Sequence, residues 1–357
     1  MKNERWKHGG DIYTNGVFKG KDLVDFSSNI NPLGVSDLLK DCIEELFSEV
    51  VRYPDYQYRE LKASISEYLL RYENINVSSD EMILGNGASE ILDLILSKIK
   101  KLGIVVPSFV EYEDFALKHS AEIEYINLTE DFQYDYSEIL SSLKKFDGII
   151  LGNPNNPTGN IINKEKFQDI LNFAEKENKK IIVDEAFVEF SRLNSSLIDK
   201  IASYKCLVII RAFTKFFGMP GARLGYGITS DKEFIEELKK YQLPWNVNSF
   251  AEIALKKSYK DEKYISKSRE WIANEISYMK NELAKLSIFK KVYDTNCNFI
   301  LCKLDTMKTS ELYEILLNKG ILIRNCSNFK KLDDTYVRFA IKSRNLNKLL
   351  IDNLKNL

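Results

Sequence analysis

The segment RAFTKFFGMPGARLGYG, Arg211 to Gly227, holds the residues best suited to covalent chemistry. Lys215 follows an apolar run, CLVII from Cys206 to Ile210, and Arg223 follows among Gly218, Gly221, Gly225 and Gly227. A lysine amine held at a strand end can condense with a carbonyl. A guanidinium close by can grip a phosphate with a two-pronged fork that an ammonium cannot form. On its own the cluster reads more readily as a surface lysine after a strand.

Three other segments offer matching parts. GNGASE, after Leu84, is a glycine-rich turn opening a helix at Ser89, where backbone N–H groups and the helix dipole favour an anion. GNPNNPTG, from Gly152, is a turn fixed by proline and asparagine, and its Asn156 is either a plain turn residue or a donor to a ring oxygen. Asp184, in DEAF, ends the apolar run KIIV; a carboxylate there needs a cationic partner, a cap or a salt bridge.

These segments require a scaffold that brings strand ends together. From Met82 the chain alternates short apolar runs with amphipathic helices. The expected strands are GIVV from Gly103, EIEYINL from Glu122, GIILG from Gly148, KIIVDEA from Lys180, CLVII, and LGYGI from Leu224. Helices are predicted over Asp37–Val50, from near Asp55 as a cap, over Ser89–Lys101, over Lys164–Glu175, and through a charged region from Asp231 to about Leu286. Continuous apolar strands alternating with helices predict an α/β fold with a parallel sheet covered by helices on both faces. NCNFILCKL, GILIRNC and YVRFAIK predict a smaller C-terminal α/β domain. The expected organisation is an N-terminal arm over 1–34, a large domain over 35–240 and a small domain over 241–357.

Composition narrows the function. The 357 residues carry 44% hydrophobic and 29% charged side chains with net charge −1, which gives no nucleic-acid or membrane footprint. No apolar run approaches the ~18 residues that span a bilayer, and the polar start MKNERWKHGGD lacks a leader's apolar stretch, so a cytoplasmic protein is expected. Two histidines, His8 and His119, and five scattered cysteines build no zinc spacing, so no metal is expected.

In order, GNGASE, PSFVEY, NPNNPTG, DEAF and FTKFFGMPGARLGYG resemble the fold type I pyridoxal-phosphate enzymes of the class I/II aminotransferase superfamily. The resemblance covers essentially the whole chain and implies a mixed, mostly parallel, seven-stranded-type sheet with helices on both faces, as in an aspartate aminotransferase-like large domain, and pyridoxal 5'-phosphate as cofactor. It implies Lys215 as the Schiff-base lysine and proton shuttle, and Asp184 as the partner of the pyridine nitrogen. Asn156 would bond the ring hydroxyl and Phe109 would stack on the ring. Ala88, Ser89, Thr214 and Arg223 would hold the phosphate. Tyr53, in RYPD, would reach a neighbour's phosphate in a homodimer with shared sites, and Arg338, in YVRFA, would bind a substrate α-carboxylate. Two positions depart from the pattern: Phe187 stands where many relatives carry tyrosine, and Ala212 where many carry serine or threonine.

Within the superfamily the chain is most similar to the histidinol-phosphate aminotransferase branch. There, HGGDIY from His8, DFSSNINPLG from Asp25 and GILIRNCSNF from Gly320 resemble the L-threonine O-3-phosphate decarboxylases of cobalamin synthesis. That resemblance implies Arg324 and His8 at the substrate's phosphate end, a small phosphorylated amino acid as substrate, and (R)-1-amino-2-propanol O-phosphate as product. An aminotransferase and a phosphoserine decarboxylase are the alternatives.

Overall fold

The computed structural model describes residues 8–357. Val24–Asp25 forms a short first strand, β1. Seven further strands make the main sheet: β2 (Met82–Asn86), β3 (Lys101–Val106), β4 (Glu122–Asn127), β5 (Gly148–Gly152), β6 (Lys180–Asp184), β7 (Leu207–Arg211) and β8 (Leu224–Ile228). Their spatial order is β2-β8-β7-β6-β5-β3-β4. All neighbours run parallel except at β8, which is antiparallel to both β2 and β7.

Alternation along the buried strands divides the core between the two faces. Ile149, Leu151, Ile181, Val183, Leu207 and Ile209 pack into one cluster with Leu61, Ile65, Ile139 and Phe167. Ile150, Ile182, Val208 and Ile210 pack into the other with Ile91, Leu92, Tyr112 and Ile235. Helices therefore cover both faces, as the unbroken apolar strands require.

The rest of the chain adds helices Ser249–Ser258 and Glu262–Leu283 and five short strands. These are β9 (Phe289–Val292), β10 (Phe299–Leu304), β11 (Ile321–Leu322), β12 (Arg324–Asn325) and β13 (Tyr336–Ala340). A four-stranded sheet has the order β12-β13-β10-β9, while β11 pairs in parallel with β1. Chain segments about 300 residues apart thus share a ladder, and Phe26 N–H donates to the Leu322 carbonyl at 2.7 Å. No helix among the described residues is long and apolar enough to cross a membrane.

Two helix boundaries differ from expectation. Asp37–Val50 is two helices, Asp37–Lys40 and Ile43–Glu49, because Cys42 leaves the helical region at φ −106°, ψ 18°. The helix after GNGASE spans Ala88–Leu96 and stops before Lys101. Lys98 and Ile99 bond carbonyls only three residues back, and the Lys101 N–H is taken by Asp147 Oδ2 at 2.9 Å, so Lys101 opens β3. The segment before Gly34, expected as an arm, contributes helix Ile12–Asn15 and β1. Tyr58, not Asp55, holds the N-cap position of helix Arg59–Glu73, but Asp55 does accept from that helix's first N–H, at Arg59, at 2.9 Å.

Candidate active site

Strand direction brings the chemistry to one sheet edge. β2, β5, β6 and β7 all end there, and antiparallel β8 begins there, so Arg223 arrives beside Lys215 without a long crossover. One cavity of about 230 Å³ is lined by His8, Ala88, Ser89, Phe109, Asn156, Asp184, Phe187, Thr214, Lys215, Arg223, Arg324 and Arg338. Ala212 also lines it. Tyr53 does not; it lies outside, 77% exposed, with its ring 4.7 Å from that of Trp245.

At the sheet edge, Lys215 sits in the one-turn helix Phe213–Phe216. Burial, with the Arg338 and Arg223 charges adding to it, brings its pKa down to about 8, against the pull of Asp184. The amine therefore has a substantial neutral fraction near pH 8, the form that attacks carbonyls. Its Nζ lies 5.5 Å from the centre of the Phe187 ring.

Asp184 is the last residue of β6 and is buried. It accepts from the Tyr112 hydroxyl at 2.7 Å and from the Ala186 N–H at 2.9 Å. Burial raises its pKa despite these donors and Lys215. Such a carboxylate favours a cation set against it.

The GNGASE turn closes the opposite wall. Gly87 holds φ +84°, and a Cβ there would fall 2.3 Å from Arg223 Nη2. A Cβ on Gly225 would fall 2.3 Å from the Ala88 nitrogen. Only glycine at both positions lets the Arg223 guanidinium and the start of helix Ala88–Leu96 approach each other. Gly87 gives that helix no side-chain cap, so its first N–H groups face the cavity with Thr214 and Arg223 nearby.

The other half of the cavity comes from the four-stranded sheet and the N-terminal segment. Arg338 on β13 is 4% exposed and donates to Asn156 Oδ1 and, at 2.7 Å, to the Ser27 carbonyl. Its Nε has no partner among the described residues. Arg324 on β12 is 3% exposed and donates to the Asn325 carbonyl at 2.9 Å and Asn328 Oδ1 at 2.8 Å. Burial brings its pKa down to about 10, with Arg338 pushing the same way. In the ladder, Arg324 and Arg338 are directly opposed. His8 Nε2 lies 2.9 Å from Glu111 Oε1.

Sequence reasoning missed Tyr112 and Ser27. Tyr112 follows Phe109 by three residues in PSFVEY, the spacing that shares a face at a helix start, so its proximity to the same wall was readable. The Ser27 carbonyl carries no side-chain signal, and only the fold brings it under Arg338.

The chain belongs to the aminotransferase class I and II family, whose model matches residues 21–354. It is 41% identical, over 100% of its length and 95% of the relative's, to a Caldanaerobacter subterraneus protein that carries the provisional name threonine-phosphate decarboxylase. It is 30% identical to the threonine-phosphate decarboxylase of Salmonella typhimurium, over 98% and 96% of the two chains. The solved structure of the histidinol-phosphate aminotransferase from Clostridium acetobutylicum matches at 46% identity and a TM-score of 0.90, covering 94% and 98%.

The protein is thus a pyridoxal-phosphate-dependent enzyme. Its residues fit that cofactor: a neutral-prone amine, a buried carboxylate that favours a cation, and a glycine cradle beside an uncapped helix start and a guanidinium.

Proposed function

We propose that this enzyme decarboxylates O-phospho-L-threonine to (R)-1-amino-2-propanol O-phosphate for cobalamin synthesis. The observation that carries the reading is the opposed pair of buried arginines, Arg324 and Arg338, on one cavity with Lys215. Like charges directly opposite in a ladder repel. The partners seen for Arg338 are neutral acceptors. A substrate with an anion at each end, a carboxylate and a phosphate, relieves that repulsion at both sites. The names of two relatives, matched over nearly the whole chain, support the same substrate.

When bound, pyridoxal phosphate supplies an electron sink conjugated to the substrate nitrogen. In this reading the Lys215 amine would hold the cofactor and would move a proton at the substrate's Cα. Asp184 would keep the pyridine nitrogen protonated, Asn156 would bond the ring hydroxyl, and Phe109 would pack against the ring. Phe187, a hydrocarbon ring, would offer that hydroxyl no donor. Ala88, Ser89, Thr214 and Arg223 would hold the cofactor phosphate. Arg338 takes the substrate carboxylate, and Arg324 with His8 takes the substrate phosphate. Tyr53, exposed outside the cavity, serves a second copy in a homodimer; sedimentation of a monomer at working concentration would remove that role. Residues 35–240 form the cofactor domain on this reading and 241–357 the small domain.

The test is CO₂ release from O-phospho-L-threonine, run beside amino transfer from histidinol phosphate to 2-oxoglutarate. Stoichiometric CO₂ with the amino-alcohol phosphate is the expected result. Steady glutamate formation without CO₂ would establish the second reading, an aminotransferase, which the 46% identity to a histidinol-phosphate aminotransferase favours.

A further inference from the structure

Arg338 must do more than bind a carboxylate, because the plane of its guanidinium decides how the substrate's Cα bonds lie. Two neutral acceptors on different loops hold that plane at its edge: Asn156 Oδ1 and the Ser27 carbonyl. The guanidinium carbon lies over a third group, the ring of Phe299, 5.2 Å from the ring centre. Phe299 is fully buried at the start of β10. Leu301 opposes Arg338 in the β10–β13 ladder, so Phe299 is the diagonal neighbour of Arg338 on the same sheet face.

The other side of Phe299 meets the lysine half of the site. Its ring packs edge-on against Phe187 at 5.4 Å and 83°, and Phe187 in turn faces Lys215 Nζ. One buried ring thus meets both Arg338, the carboxylate binder of this reading, and Phe187, the residue beside the proton carrier. A guanidinium over a desolvated ring gains attraction, and the contact fixes its tilt.

We propose that Phe299 is a positioning residue that sets which Cα bond of the substrate breaks. The inference rests on the assignment of Arg338 to the substrate carboxylate, and it holds for whichever bond the enzyme favours. In one route the Cα–carboxylate bond breaks, its electron pair stays with Cα, CO₂ leaves, and a proton takes its place. In the other the Cα–H bond breaks, its electron pair likewise stays, the proton moves to Lys215 Nζ, and a solvent proton returns to Cα. A guanidinium free to tilt lets the carboxylate rotate and mixes the routes.

The experiment uses the holoenzyme in D₂O with O-phospho-L-threonine and compares CO₂ released with deuterium gained at Cα of recovered substrate. Phe299→Leu should raise the share of the minor route by about tenfold, the scale at which small misalignments act. Phe299→Tyr, which keeps the ring face, should restore the wild-type share. Cofactor occupancy, read by intact mass after borohydride reduction, should stay near wild type in both variants, while Tm falls by a few degrees as a fully buried ring loses volume or gains a hydroxyl. An unchanged share in Phe299→Leu with slower turnover overturns the proposal, as does a tilted share that Phe299→Tyr fails to restore. If Phe299→Leu does not fold, Phe299→Met replaces it under the same criterion. A wild-type enzyme that exchanges deuterium but releases no CO₂ sinks the decarboxylase reading alone, and the minor share is then the CO₂ that Phe299→Leu leaks.

Discussion

The two halves of the cavity are built by different means. The half around Lys215, Asp184 and Arg223 stands on strand ends of one sheet, and it leaves no room for a side chain at Gly87, beside the Arg223 guanidinium, or at Gly225, beside the Ala88 backbone. The half around Arg324 and Arg338 stands on a second sheet, where loops remote in sequence hold Arg338 through Ser27 and Asn156, while Arg324 bonds its near neighbours Asn325 and Asn328. The first half is rigid by sheet geometry. The second depends on side chains meeting across the fold, so it is the half in which specificity can change while cofactor binding stays.

Substitutions can break this contrast or sharpen it. Lys215→Ala should lose the covalent cofactor mass after borohydride reduction and cut turnover by roughly 10⁴-fold. Retained mass and turnover would remove Lys215 from the first half. Arg338→Lys keeps the charge but not the fork, and kcat/KM for O-phospho-L-threonine should fall about 10²-fold while cofactor occupancy holds. Loss of cofactor in that variant would mean the halves are not separable.

Arg324→Gln should raise KM for the phosphorylated substrate by roughly tenfold to a hundredfold and affect an unphosphorylated amino acid much less. Equal losses for both would place Arg324 away from the phosphate. Acid should slow cofactor attachment to the apoprotein, because the Lys215 amine is neutral above its pKa of about 8 and protonated below it. Stopped-flow rates should rise about tenfold per pH unit below 8 and level off above. The smallest effect belongs to Tyr112→Phe, which removes one donor from Asp184 and should weaken cofactor retention by about fivefold in dialysis.

Much of the first half was legible in the chain because strand ends and turn glycines leave local signals. The apolar runs ending at Asp184 and at Ile210 carried both the sheet and the position of Lys215, and every cofactor-side residue expected within one protomer lines the cavity. The opposition of Arg324 and Arg338 was not legible, since it depends on the register of β12 against β13. Nor was the early end of helix Ala88–Leu96, where apolar spacing continues through Ile99 but strand pairing takes Lys101. Local periodicity lost there to a tertiary partner, Asp147.

The antiparallel insertion of β8 also bears on how the site comes into being. Lys215 and Arg223 are tethered by only about eight residues, whereas the contact between Arg338 and Ser27 spans 311. Chain entropy makes the longer closure costlier by about 3 kcal/mol on the logarithmic scale of loop length. Contacts of high sequence separation are the slow ones in folding. Lys215 and Arg223 therefore meet through a short, quickly closed loop, whereas Arg338 gains its Ser27 partner only after a closure of nearly the whole chain.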